Sequence, residues 1–191
     1  VLAMAVSQWV MTVLMVITPL HMSHHNHDVD AISVVIMAHT LGMFALAGVT
    51  GWLLDRVGRA PVIIGGGALL VAASLLAPLS TGVPLLGLSM FLLGLGWNFS
   101  FIAGSALLSS LLLQSERGRA QGLGEAAVAL GAGAGSLASG RLFARGDIQA
   151  VAYLGLGLSL VLLLATLWAY RPGRTGAAVR LPAGPEAETG D

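Results

Sequence analysis

Apolar runs, each close to the length of one bilayer crossing, alternate with short polar interruptions along most of the chain. Residues 1–21, 31–54, 61–79, 84–113, 119–142 and 149–170 are predicted as helices on that pattern. A hydrocarbon core about 30 Å thick takes roughly 20 helical residues at about 1.5 Å each, which these runs supply. The interruptions are short, so the helices are expected to pack as neighbours in one bundle. The fold class read from this pattern is all-α: a polytopic membrane bundle with six transmembrane helices over residues 1–170. Residues 171–191, rich in proline, glycine and charge, are expected to form a disordered tail.

Composition strengthens the membrane reading and removes several function classes. Only 9% of residues are charged, against about 25% in ordinary soluble domains, which leaves too little polar surface to coat a globule in water. Cysteine is absent, which excludes a disulfide framework, a thiolate metal site and a cysteine nucleophile. The formal net charge is zero, so a basic face for nucleic acid has no support. The run that starts at Val1 has no basic flank before it and does not read as a secretory signal. The chain is therefore expected to begin partway through a longer protein.

The nine basic residues are all arginine, and their placement carries an orientation. Arg56 and Arg59 follow the second run, Arg117 and Arg119 the fourth, and Arg171, Arg174 and Arg180 the sixth. Those seven share one side, against Arg141 and Arg145 on the other. Positive residues near helix ends are retained on the cytoplasmic side. The tail is accordingly expected in the cytoplasm of a cell expressing the protein in its inner or plasma membrane, with the turn H-M-S-H-H-N-H-D (His21 to Asp28) outside.

The turn after the second run reads G-W-L-L-D-R-V-G-R, Gly51 to Arg59. Asp55 sits at a helix C-terminus, which carries partial negative charge, so it is expected to seek an arginine or the N-terminus of a neighbouring helix. Arg56 and Arg59 are expected to pair with acids elsewhere, and Gly58 suits a tight reversal. Residue types alone leave open a solvated basic turn. The order of residues, however, resembles the G-x-L-x-D-R-x-G-R signature of the major facilitator superfamily, secondary transporters with twelve helices in two halves. The stretch Phe91 to Ser110 with the following S-E-R-G-R-A-Q-G-L resembles the tenth helix and its loop in bacterial members. The resemblance implies helices seven to twelve, one half of a major facilitator fold, with Gly51, Asp55, Arg56, Gly58 and Arg59 as a gate on the cytoplasmic side. It also implies a second six-helix half or a second subunit, a lipid bilayer as host, and a small-molecule substrate with H+ as coupling ion. Efflux by an antiporter working through alternating access is the function expected; no cofactor is implied.

Candidates for contact with substrate or proton follow from the cost of burying polar groups in lipid, about 2.5–3.5 kcal/mol for an ionised side chain at a helix centre. His39 lies well inside the second run, where imidazole can carry a proton or bond a substrate. The alternative is a neutral ring bonded to a carbonyl. Glu125 lies near the start of the fifth run, as a coupling carboxylate or a group that favours a helix N-terminus. Trp97, Asn98 and Gln8 offer an aromatic face and amides of the kind that orient a ligand in an apolar pocket, or equally serve packing. The stripe Gly131, Gly135 and Ser139 in the fifth run predicts close helix approach. His21, His24, His25 and His27 can ligate zinc, copper or nickel, and metal binding is the alternative function. Four histidines on one connection do not by themselves show a closed site, and a polar turn is the stronger reading. No phosphate-binding loop and no H-E-x-x-H sequence occurs, and no catalytic constellation supports an enzyme.

Overall fold

The computed structural model describes residues 1–170, and the expected tail at 171–191 lies outside them. The described residues form α1 (Leu2–His24), α2 (Val29–Phe44), α3 (Ala47–Val57), α4 (Arg59–Leu76), α5 (Val83–Ser110) and α6 (Gln114–Ala169). Six passes result, because α2 and α3 make one crossing and α6 makes two. A straight helix of 56 residues would run about 84 Å, far beyond one hydrocarbon core. Gly146 (φ −153°, ψ 22°) and Asp147 (φ 53°, ψ −159°) break it.

The contacts on either side of that break show a reversal. In the first arm, 114–145, Gly131 lies against Trp9 and Gly135 against Val13, while Phe143 stands beside His21 and His24. This arm therefore climbs α1 towards its C-terminus. In the second arm, 148–169, Gly155 lies against Leu14, and Leu162 to Tyr170 share a cavity wall with Val1, Leu2 and Ala3. The sequence predicts a longer gap here, 143–148; the helices extend from both sides until two residues remain. Asp is among the few non-glycine residues that tolerate a left-handed backbone. Asp147 also accepts a hydrogen bond from the Ile148 N–H at 2.6 Å, which caps the start of the second arm.

The second predicted helix is interrupted. Leu46 leaves helical geometry (φ −103°, ψ 12°) between α2 and α3, and the pass continues to Val57. Gly58 then turns the chain with φ +87°, a backbone setting that favours glycine, and α4 begins at once.

α5 lies against both neighbours through glycines. A Cβ at Gly42 would come within 2.2 Å of the Phe91 carbonyl, and one at Gly94 within 2.3 Å of the His39 carbonyl, so α2 and α5 touch backbone to backbone. Gly66 and Gly96 do the same between α4 and α5, each Cβ falling 2.9 Å from the other's carbonyl. Lipid tails remove the hydrophobic drive between helices, so such close dispersion contact is what holds a bundle together in the membrane. Around it Leu14, Leu70, Leu86, Met90, Leu93 and Leu162 are fully buried. Leu123, Leu130 and Leu137 project from the first arm of α6 and are exposed, as suits a lipid-facing or partner-facing stripe.

The passes alternate in direction and give the bundle two ends. The signature turn, the α5–α6 connection and Tyr170 occupy one, the signature end. The His25–Asp28 turn, the α4–α5 turn and the Gly146–Asp147 break occupy the other, the histidine end.

Candidate functional site

At the signature end, α1, α3, α4, α5 and the second arm of α6 enclose a largely apolar cavity of about 880 Å³. Gly51, Asp55, Gly58 and Arg59 lie on its wall. Asp55, Arg56 and Arg59 are exposed. The Arg56 guanidinium stands 5.3 Å from the centre of the Trp52 ring, one turn back on α3, a cation–π contact in place of the acid partner expected from sequence. Among the described residues, neither Asp55 nor Arg59 has an ion-pair partner. A Cβ at Gly51 would meet open space, so this glycine fills no packing role within the half that is described.

A polar seam crosses three helices, running from midway along the bundle towards its signature end. Trp97 Nε1 donates to Gln8 Oε1 at 2.8 Å, joining α5 to α1. The indole stacks on Phe101, with ring centres 4.8 Å apart. Gln8 also donates to Thr12 Oγ1 at 3.4 Å. One further turn along α5, Ser105 donates to Gln121 Oε1 at 3.4 Å, and Gln121 donates to Glu125 Oε1 at 3.2 Å. Trp97, Phe101 and Ser105 recur every fourth residue, which lines them along one face of α5. Trp97, Gln8 and Gln121 are half-buried and Glu125 is exposed. Three sequence candidates, Gln8, Trp97 and Glu125, therefore belong to one seam. Thr12, Ser105 and Gln121 were not singled out by sequence; the i, i+4 spacing of Gln121 and Glu125 was the available signal.

His39 and Asn98 stand apart from that seam. Both are buried on the α2–α5 contact, each about 1% exposed. His39 Nδ1 lies 3.1 Å from the Met90 carbonyl, and its Nε2 is buried without a partner among the described residues. Asn98 Nδ2 donates to the Met43 carbonyl, and its Oδ1 accepts from Thr50 Oγ1. Its polar groups are engaged by the two halves of the broken second pass.

At the histidine end, α1 runs three residues past the predicted 1–21, so His24 joins His21 within the helix and His25 caps it. His21 is 4% exposed, and its Nδ1 meets Asp147 Oδ1 at 3.0 Å. The His21 and His25 rings lie 4.3 Å apart; His25 Nδ1 meets the His21 carbonyl at 2.9 Å, and His27 Nε2 meets the Thr81 carbonyl at 2.8 Å. These side chains tie connections together. Among the described residues, no three histidine or acidic side chains converge as a metal site, and the divalent-metal alternative gains no support. Asp147, which sequence did not single out, lies in the connection between two passes. Burial acts to raise its pKa, but the hydrogen bonds from His21 and the Ile148 N–H, with the charges of His21 and His25, outweigh burial and hold it below the ordinary 3.8.

Two MFS-type transporters of Bacillus subtilis (strain 168) resemble the chain: YddS, 36% identical over 170 residues, and YdeG, 38% identical over 167. The alignments cover 88% and 86% of this chain and 39% of each relative. The riboflavin transporter RfnT of Brucella anthropi is 35% identical over 112 residues, 59% of this chain and 28% of that protein. No solved structure matches significantly. The chain thus spans about two fifths of the length of the relatives it matches most extensively here. A match to the Major Facilitator Superfamily runs over residues 1–188, and with the six-pass bundle and its signature turn it places this chain in that family of membrane transporters.

Proposed function

We propose that the chain forms helices seven to twelve of a secondary transporter that exports small organic molecules in exchange for protons by alternating access. The observation that carries this reading is the seam of Gln8, Trp97, Ser105, Gln121 and Glu125 on three neighbouring helices. Polar groups at membrane depth are costly where they face lipid, so a half-exposed row of them calls for a second wall. A second six-helix half, or a second subunit, supplies that wall and closes a substrate site at the midplane. There Trp97 and Phe101 offer a π-face and Gln8 an amide; nearer the signature end Gln121 offers a second amide and Glu125 is the leading proton carrier, with His39 as a second. Asp55, Arg56 and Arg59, exposed on the signature turn, act as a cytoplasmic latch that engages the same second half, and Gly51 leaves room for its close approach.

The test is flux in proteoliposomes that hold the complete gene product in a defined orientation. Riboflavin is the first probe, because one relative is a riboflavin transporter, followed by other planar aromatic solutes. An imposed pH gradient is expected to drive accumulation, a protonophore to abolish it, and Glu125→Gln to uncouple it. Flux that ignores the pH gradient would remove the proton from the mechanism while leaving the transporter.

A further inference from the structure

The second pass is broken where it need not be. No proline or glycine lies at Ala45 or Leu46 to force the interruption, and kinks in helices have identifiable causes, among them a side chain that inserts into the backbone ladder. In an unbroken helix the Met43 carbonyl accepts from the residue four positions on. Here Asn98 Nδ2, reaching across from α5, donates to it. On the far side of the break Thr50 Oγ1 donates to Asn98 Oδ1. One buried amide therefore holds both sides of the interruption.

What lies beyond the break makes this more than local satisfaction of polar atoms. α3 carries the signature residues Gly51, Asp55 and Arg56, and Thr50 is its one fully buried residue. Gly48 and Gly51 have open space about their Cα atoms. α3 is thus lightly seated, and the Thr50–Asn98 bond is its deepest attachment to the bundle. The residue preceding Asn98 is Trp97, which reaches in another direction to Gln8 on α1.

We propose that Asn98 is a positioning residue for transport: its amide sets the angle between α2 and α3 and so links the signature segment to the helix that presents Trp97. The consequence for transport rests on the reading of the seam given above, whereas the geometric role does not. α3 has 11 residues and is about 16 Å long, so a tilt of about 20° moves its far end by about 6 Å.

Such a movement is readable by spin labels at Val57→Cys and Leu111→Cys, both exposed positions, in the complete gene product freed of other cysteines and reconstituted without substrate. A second pair, Val29→Cys with Leu79→Cys at the histidine end, reports on the start of α2. Asn98→Ala is expected to broaden and shift the 57/111 distances by several ångströms and to leave the 29/79 distances as they were. Thr50→Val is expected to do the same to a smaller degree, and the double variant no more than Asn98→Ala alone, because both remove one connected unit. Should Asn98→Ala fail to insert, Asn98→Asp keeps the acceptor for Thr50 and loses the donor to Met43, and with Thr50→Val it carries the test. A 57/111 distribution that stays narrow while thermal stability falls would overturn the proposal and leave Asn98 a stabilising residue only. Equal broadening of both pairs would overturn it too, as general loosening.

Discussion

Asp147 shows how a single residue gains importance that sequence could not assign. In the chain it is one acid in a short basic connection; in the fold it occupies a left-handed backbone position, caps the second arm of α6 and meets His21. Its carboxyl is held below the ordinary 3.8, so the sign of its contribution is fixed: full above the unfolded value, and lost as pH falls through the lowered native one. Because Asp147 is 55% exposed, solvent screens the pair and the effect is modest. Asp147→Asn keeps a residue that tolerates the left-handed backbone and removes the charge. Melting curves are expected to show a lower Tm for the variant at pH 6, and a smaller loss than wild type on acidification below about 3.8. Parallel profiles would remove the pair from the stability account. His21 illustrates the same limit of sequence: its four-residue spacing from His25 was legible, but its burial depends on Phe143 and Asp147, more than 120 positions away.

At the scale of elements, hydrophobic run length located all six passes, because a crossing needs a fixed number of apolar residues whatever its partners. The two breaks were less legible. The interruption of the second pass depends on Asn98, more than 50 positions away in a helix with its own apolar pattern, and the narrow Gly146–Asp147 break depends on a partner in α1. The glycine stripe was legible from spacing alone, and the structure seats it on α1: a Cβ at Gly131 would lie 1.6 Å from the Trp9 Nε1, whereas one at Gly135 would only touch Val13 at 3.4 Å. The two positions should therefore respond differently. Gly131→Ala is expected to force the indole aside at a cost of roughly 1–3 kcal/mol, the usual range for overpacking, while Gly135→Ala is expected to be near neutral. Unfolding in mixed micelles measures both. Equal responses would mean that Trp9 gives way freely and that the stripe does not set the spacing of α1 and α6.

For the whole molecule the open matter is which end faces the cytoplasm, since a bundle of antiparallel passes has the same internal packing either way up. The positive-inside rule favours the signature end. Arg56, Arg59, Arg117 and Arg119 cluster at the signature end, and the sequence beyond Tyr170 adds Arg171, Arg174 and Arg180; the histidine end has Arg141 and Arg145. The histidine end is also bound together by side chains, His27 to the Thr81 carbonyl and His21 to Asp147, while Asp55 and Arg59 at the other end have no ion-pair partner among the described residues. Side chains thus tie the histidine end to itself, while Asp55 and Arg59 stand exposed at the signature end. With the signature end inside the cell, a membrane-impermeant maleimide added to intact cells should label Thr81→Cys, an exposed position, in a complete gene product freed of other cysteines. Ser115→Cys, exposed at the opposite end, should react only after the membrane is permeabilised. The reverse pattern would invert the topology, and with it the assignment of Asp55, Arg56 and Arg59 to a cytoplasmic latch. In the expected orientation, Asp55→Ala should leave both labelling patterns and membrane insertion intact while depressing flux, because the exposed carboxylate does not hold this half together.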